Sequence, residues 1–111
     1  MILVTGGRYN GKKDWVIENL GFKKEDFSDD IFDEKAVLFS LESIAFENNE
    51  ATIKALLRKK VIICSEIGSG IVPIEKKDRS RQEMVGRMCI FLAKNATEVY
   101  RIFNGIGMKI K

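Results

Sequence analysis

The sequence predicts an α/β fold. Its expected form is a mostly parallel sheet in three layers, with helices on both faces and an antiparallel C-terminal hairpin. Two observations carry this. Short apolar runs of strand length, Ile2 to Thr5, Ala36 to Ser40 and Val61 to Cys64, alternate with stretches of helical periodicity. Near the end, Asn104-Gly105 separates Glu98 to Phe103 from Ile106 to Ile110, and Asn-Gly readily takes the left-handed conformations of a type I′ hairpin turn.

Each element follows from its own stretch of chain. Met1 to Thr5 reads as a buried strand, followed by a glycine turn and a helix from about Gly11 to Leu20 that turns Trp15, Val16 and Leu20 inward. Gly21 is a natural stop. Phe22 to Glu34 is acidic, and its phenylalanines at 22, 27 and 32 fit neither a strand nor a helix period, so a loop pinned by its aromatics is expected. Its acids, Asp26, Asp29, Asp30, Asp33 and Glu34, lack the spacing and central glycine of an EF-hand and read as a solvated face. Ala36 to Ser40 is the second strand. Ser43 to Arg58 reads as a helix in which Ile44, Ile53, Leu56 and Leu57 share a face, closed by the cations Lys59 and Lys60. Val61 to Cys64 is the third strand, and it opens into a second glycine turn, Gly68-Ser69-Gly70, with Pro73 beyond. Asp78 is placed to cap a long helix to about Ala96 that buries Met84, Met88, Phe91 and Leu92.

The 111 residues, 45% of them apolar, suit one core and hence a single domain, 1–111. No apolar run reaches membrane-spanning length, and Met1 leads directly into a strand, so a cytoplasmic protein with no membrane partner is expected. Cys64 and Cys89 sit where small buried hydrophobes belong, and without histidine no zinc site is expected. Residues 1–55 carry seven basic and eleven acidic side chains, residues 56–111 twelve and five. The basic half can attract an anion, but its cations are scattered and rarely interleaved with aromatics, so no nucleic-acid partner is expected.

The chemistry concentrates in the two glycine turns. Gly6-Gly7-Arg8-Tyr9-Asn10-Gly11-Lys12-Lys13 matches G-x-x-x-x-G-K, the P-loop pattern, up to its last position, where Lys13 replaces Ser or Thr. Glycines let backbone N–H groups curl round phosphate oxygens, the following helix presents its positive end, and Lys12 reaches outward. All eight residues are candidates for binding ATP or GTP, or another phosphate-containing small molecule. Magnesium is normally held by the missing hydroxyl together with an acid from another strand, and here the second strand ends at Ser40, with Glu42 the nearest acid. No metal ligand is therefore assigned, and magnesium binding is not expected. Glu66, just past the third strand, stands at the end of the sheet where ligands of such folds bind, and a catalytic part in orienting an acceptor weighs evenly against a local salt bridge. Arg79, Arg81 and Arg87 can line the same cleft, although solvated positions suit them better.

These residues resemble the adenosylcobinamide kinase/adenosylcobinamide-phosphate guanylyltransferase family of cobalamin synthesis. Ile2-Leu3-Val4-Thr5-Gly6-Gly7 with Gly11-Lys12 is similar to its opening strand and P-loop. Ser65-Glu66-Ile67-Gly68-Ser69-Gly70-Ile71-Val72-Pro73 resembles its N-E-V-G-x-G-I-V-P loop. Arg79, Gly86 and Arg87 match the helix beyond, and Glu98-Val99-Tyr100 through Gly105 to Lys109-Ile110-Lys111 matches its ending. The resemblance implies a transferase fold, nucleotide contacts at Gly6, Gly7, Gly11 and Lys12, a weaker one at Glu66, a corrinoid as a further ligand, and a homo-oligomer. The departures are Lys13 for the P-loop Ser, Ser40 for a strand Asp, Ser65 for the loop Asn, and a shortened central region. That region carries the family's guanylylated histidine, and this sequence has none. Three functions stay open: a degenerate nucleotide- or phosphate-binding relative without guanylyltransferase activity, which the departures favour; a minimal nucleotide-dependent kinase on a corrinoid alcohol, with Lys12 and Glu66 as its catalytic residues; and a structural subunit with an empty turn.

Overall fold

A computed structural model of the chain describes residues 1–7, 10–65 and 76–111, with side chains in the last segment from Arg79 onward. Among these residues, six strands form one sheet in the order β2-β3-β4-β1-β5-β6. They are β1 (Ile2–Gly6), β2 (Phe27–Ser28), β3 (Val37–Leu38), β4 (Val61–Ser65), β5 (Glu98–Phe103) and β6 (Ile106–Lys109). Every neighbouring pair is parallel except β5 and β6, which are antiparallel and joined through Asn104 and Gly105 at φ 50° and 76°. The helices are α1 (Lys12–Leu20), α2 (Glu50–Arg58) and α3 (Lys76–Asn95). None is long and apolar enough to cross a membrane, among the described residues.

Strand alternation divides the interior into two cores, one on each face of the sheet. Val4, Val37, Val61, Ile63 and Ile102 pack with Trp15 and Val16 of α1. Leu3, Leu38, Ile62, Cys64 and Val99 pack with Leu56 of α2 and with Val85, Met88 and Leu92 of α3. This is the predicted three-layer α/β arrangement of P-loop type. Because β1, β3 and β4 run in one direction, the turn after Gly6, the segment after Leu38 and the end of β4 at Ser65 meet at one end of the sheet.

Four local expectations give way to packing. The acidic stretch expected to be a loop contributes a two-residue edge strand, because Phe27 and Ser28 pair with Val37 and Leu38. Its aromatic anchoring is partial: Phe22 and Phe27 pack on the α1-side core, but Phe32 is 63% exposed and Ile31 is buried in its place. The helix expected from Ser43 begins at Glu50. Ser40 adopts a left-handed conformation, a single 3-10 turn at Leu41–Ser43 follows with Leu41 fully buried, and Ile44 and Phe46 pack on the core without helical spacing. Asn49 then caps α2 by accepting from the Thr52 N–H at 2.9 Å, and Leu57 is left 38% exposed. In α3, Asp78 lies within the first turn instead of capping it, and Val85 supplies the burial expected of Phe91, which is exposed.

The acidic segment is fastened to the sheet by a buried cation. Lys59 is only 4% exposed, yet its Nζ donates to Asp33 O at 3.1 Å, Asp33 Oδ1 at 2.6 Å and Lys35 O at 2.9 Å. Three acceptors match the three donors of an ammonium, which is the condition for burying one at tolerable cost. Hydrogen bonds from Lys59 and then from the Ser28 hydroxyl hold the Asp33 carboxyl at about 2, below its usual 3.8. That depression means the contribution is complete above the ordinary value and is lost as pH falls from about 4 towards 2. Lys59→Met should destabilise the protein by about 1.5–3 kcal/mol, since two carbonyls and a carboxylate lose their donor together. Urea unfolding at pH 7 measures the loss. In Asp33→Asn, stability should vary less between pH 4 and 2 than in the wild type, and an unaltered pH profile would contradict the assignment.

Candidate functional site

The glycine turn is shaped by the hairpin beside it. Gly6 pairs in register with Ser65 on one side and Ile102 on the other, at φ 151°, and a Cβ there would lie 2.4 Å from the Ile102 carbonyl oxygen. Only glycine can leave the sheet over that carbonyl. The turn is then braced from the far side, because the Asn10 carbonyl accepts the Gly105 N–H at 2.9 Å and the Asn10 Oδ1 accepts the Asn104 N–H at 3.4 Å. Gly107 of β6 lies flat against Trp15, where a Cβ would sit 2.4 Å from the indole, and Trp15 meets Tyr100 at 4.8 Å between ring centroids.

Gly11 caps α1 at φ 80° with no side-chain acceptor, so the first-turn N–H groups face the turn as the positive end of the helix. Beside them opens a cleft of about 450 Å³. Its walls are Gly11 to Asp14 of the turn and first helical turn, Phe39, Ser40, Glu42 and Ser43 after β3, and Ser65 at the end of β4.

The two lysines of the motif behave differently. Lys12 is 8% exposed, and its Nζ donates to the Gly7 carbonyl at 2.7 Å, folding the ammonium back over the turn as a clasp. Lys13 extends away from the turn. Its Nζ stands 5.5 Å from the centre of the Phe27 ring and 5.3 Å from that of Phe39, a cation held between two aromatic rings. Lys13 therefore ties the first turn of α1 to β2 and to Phe39 after β3, while lining the same cleft as Ser40.

Opposite Lys13, one carboxylate oxygen of Glu42 accepts the Ser65 N–H at 2.7 Å, a charge-assisted bond that fixes the end of β4. The backbone around Glu42 is fixed in turn by Arg81, whose Nη2 donates to Glu42 O at 3.1 Å and Ile44 O at 2.7 Å. Among the described residues no group of three or more His, Cys, Asp or Glu side chains gathers as a metal site.

Of the residues singled out from sequence, the structure brings together Gly6, Gly7, Asn10, Gly11, Lys12 and Lys13 at the turn, with Ser40, Glu42 and Ser65 across the cleft. Arg8, Tyr9 and Glu66, with the second glycine turn, lie outside the described residues. Asn10 acts as a brace through both its oxygens. Arg81 holds backbone carbonyls, Arg79 is exposed, and Arg87 makes a surface pair with Glu83 at 3.2 Å. Two roles escaped the sequence reading, the Glu42 bond to β4 and the aromatic seat of Lys13, because each joins segments far apart in the chain.

Gly6→Ala should destabilise the fold by about 2–4 kcal/mol, since the new Cβ meets a fixed backbone carbonyl. Gly7→Ala should cost under about 1 kcal/mol, because among the described residues its Cβ meets the far end of the Asn10 side chain and no backbone atom. Denaturant midpoints of the two variants compare the positions directly, and equal losses would contradict the close approach.

The family described as cobinamide kinase / cobinamide phosphate guanyltransferase has a model that matches residues 28–110. The glycine turn lies ahead of the matched residues. The bifunctional adenosylcobalamin biosynthesis protein CobU of Escherichia coli (strain K12) is 42% identical over 53 residues, 48% of this chain and 29% of that protein. The protein of the same name from Salmonella typhimurium matches with the same identity and coverage. The similarity thus spans less than a third of either relative.

Proposed function

The chain belongs to the cobinamide kinase / cobinamide phosphate guanyltransferase family, and from that premise we propose that it is a nucleotide- or phosphate-binding member without guanylyltransferase activity. The observation that carries this reading is the cleft at the carboxyl end of the strands, where the N-terminus of α1 and the Lys12 clasp face Ser40, Glu42 and Ser65. Exposed N–H groups at a helix start suit phosphate oxygens. An arriving phosphate would compete with the Gly7 carbonyl for the Lys12 ammonium, so ligand binding would exchange an internal hydrogen bond for a charge-assisted one.

Magnesium has no part in this reading. The side chain at the usual hydroxyl position is a lysine engaged with Phe27 and Phe39, and an ammonium offers a divalent ion no oxygen ligand. Guanylyl transfer through a phosphohistidine-type linkage needs an imidazole nucleophile, and these 111 residues contain none. ATP, GTP and a corrinoid phosphate are the ligands of first choice, given the names of the relatives. Self-association is a further expectation of the family reading.

One observation favours a second reading. The Glu42 carboxylate lines the cleft, and if its remaining acceptor capacity held magnesium, the chain would be a minimal kinase acting on a corrinoid alcohol. Titration with ATP and with GTP, each with and without magnesium, separates the two. Affinity unaffected by magnesium supports the metal-free site, whereas magnesium-dependent phosphorylation of the corrinoid alcohol supports the kinase.

Lys12→Ala should weaken nucleotide binding by about 1.5–3 kcal/mol, the scale of a charge-assisted hydrogen bond, and calorimetry showing unchanged affinity would remove the site assignment. Lys13→Ser should make binding responsive to magnesium, and the double variant with Ser40→Asp should respond more than either single one, because both groups act on one ion. Incubation with labelled GTP should leave no guanylyl group on the protein. A labelled adduct would overturn the degenerate reading.

A further inference from the structure

The two cysteines of the chain lie against each other just beneath the cleft. Cys64, next to last in β4 and 1% exposed, places its Sγ 3.0 Å from the Sγ of Cys89 on α3. Both are free thiols, and Cys89 is partly exposed. The residue after Cys64 is Ser65, whose N–H is held by the Glu42 carboxylate at 2.7 Å. We propose that Cys64 and Cys89 form a reversible dithiol–disulfide site, and that its oxidation is transmitted through Ser65 to Glu42 at the cleft wall.

The chemistry is that of thiol exchange with a small disulfide such as oxidised glutathione. Sulfurs already in contact need close only about 1 Å to reach a disulfide bond length, a movement within reach of side-chain rotation. The two thiols are unequal in the way exchange requires. The shared hydrogen bond, burial and the nearby Glu42 charge hold Cys64 as a thiol, whereas the same hydrogen bond favours the thiolate of the more accessible Cys89. The Cys89 thiolate attacks one sulfur of glutathione disulfide, its S–S bond breaks, and one glutathione thiolate leaves. That thiolate takes the Cys64 proton. The Cys64 sulfur then attacks the Cys89 sulfur of the mixed disulfide, expelling the second glutathione, which takes up the proton first lost by Cys89. Two electrons pass from the cysteine pair to the glutathione disulfide, and two glutathione thiols result.

Transmission follows from the backbone. Drawing Cys64 towards α3 shifts the peptide that carries the Ser65 N–H, and that N–H is anchored to a carboxylate approaching from the segment after β3. A displacement of a few tenths of an ångström in a bond this short weakens it. The site concerns this chain's own thiols and is independent of whether a nucleotide binds.

The test uses the whole chain in reduced and glutathione-oxidised form. Expected are a loss of two hydrogen masses in a monomeric product, protection of both cysteines from iodoacetamide, full reversal by dithiothreitol, and amide exchange at Ser65 at least threefold faster in the oxidised form. Cys64→Ser should retain glutathione on Cys89 as a stable adduct, and Cys89→Ser should show little modification at all. Should either variant fail to fold, the wild-type mass and exchange measurements decide alone. A persistent glutathione adduct on the wild type, disulfides only between chains, or a disulfide that leaves Ser65 exchange unchanged would each overturn the proposal.

Discussion

The carbonyl of Ile102 sets the geometry on which the rest of the site depends. β1 is bonded on both edges, to β4 and to β5, so its last residue has no freedom to drift sideways. Gly6 must leave the sheet directly over that carbonyl, and the absence of a side chain lets it do so. From this departure follow the turn's position beside Asn104 and Gly105, the two Asn10 bonds that hold it there, and the start of α1 at Gly11. A helix N-terminus binds anions only when its N–H groups are left to the ligand and its position is fixed. Here the hairpin fixes the position, and glycine at the cap contributes no side-chain acceptor to the first-turn N–H groups.

The substitution of lysine for the expected hydroxyl has consequences for stability as well as for binding. A second ammonium next to Lys12 would repel it if both pointed into the same space. Phe27 and Phe39 resolve this by drawing Lys13 towards the sheet edge, where ring faces of negative potential receive it. The two-residue strand β2 supplies one of those rings. A short edge strand that contributes few hydrogen bonds is thereby joined to α1, and the acidic segment is anchored at its other end by Lys59.

Much of the framework was legible in the sequence. The apolar residues of β1 and β4 alternate between two cores, Asn104-Gly105 marks its turn, and Trp15 and Val16 mark the buried side of α1. What was illegible depended on contacts between distant segments. Ser43 to Asn49 reads as the opening of a helix, but Leu41, Ile44 and Phe46 are each claimed by the sheet-facing core, and Ser40 turns left-handed ahead of them. Phe27 shows no strand period because a two-residue strand has no room for one. The site divides in the same way: the glycine turn is a local pattern, whereas the Glu42 bond to Ser65 spans 23 residues and the Arg81 bonds to Glu42 and Ile44 span 39 and 37.

These long-range bonds tie the two walls of the cleft to different parts of the fold. The turn rests on β5 and the hairpin, whose strands are paired along their length. The opposite wall is joined to the end of β4 by the Glu42 carboxylate and to α3 by the guanidinium of Arg81. It is held as well by the Phe39 N–H, which donates to Ser28 O at 2.8 Å, and by the full burial of Leu41. The side-chain bonds converge on Glu42, so a change there would be felt at Ser65. Through them α3 is well placed to influence the cleft, because Arg81 reaches Glu42 and Ile44 in the segment after β3 and Cys89 reaches Cys64, the neighbour of Ser65 in β4.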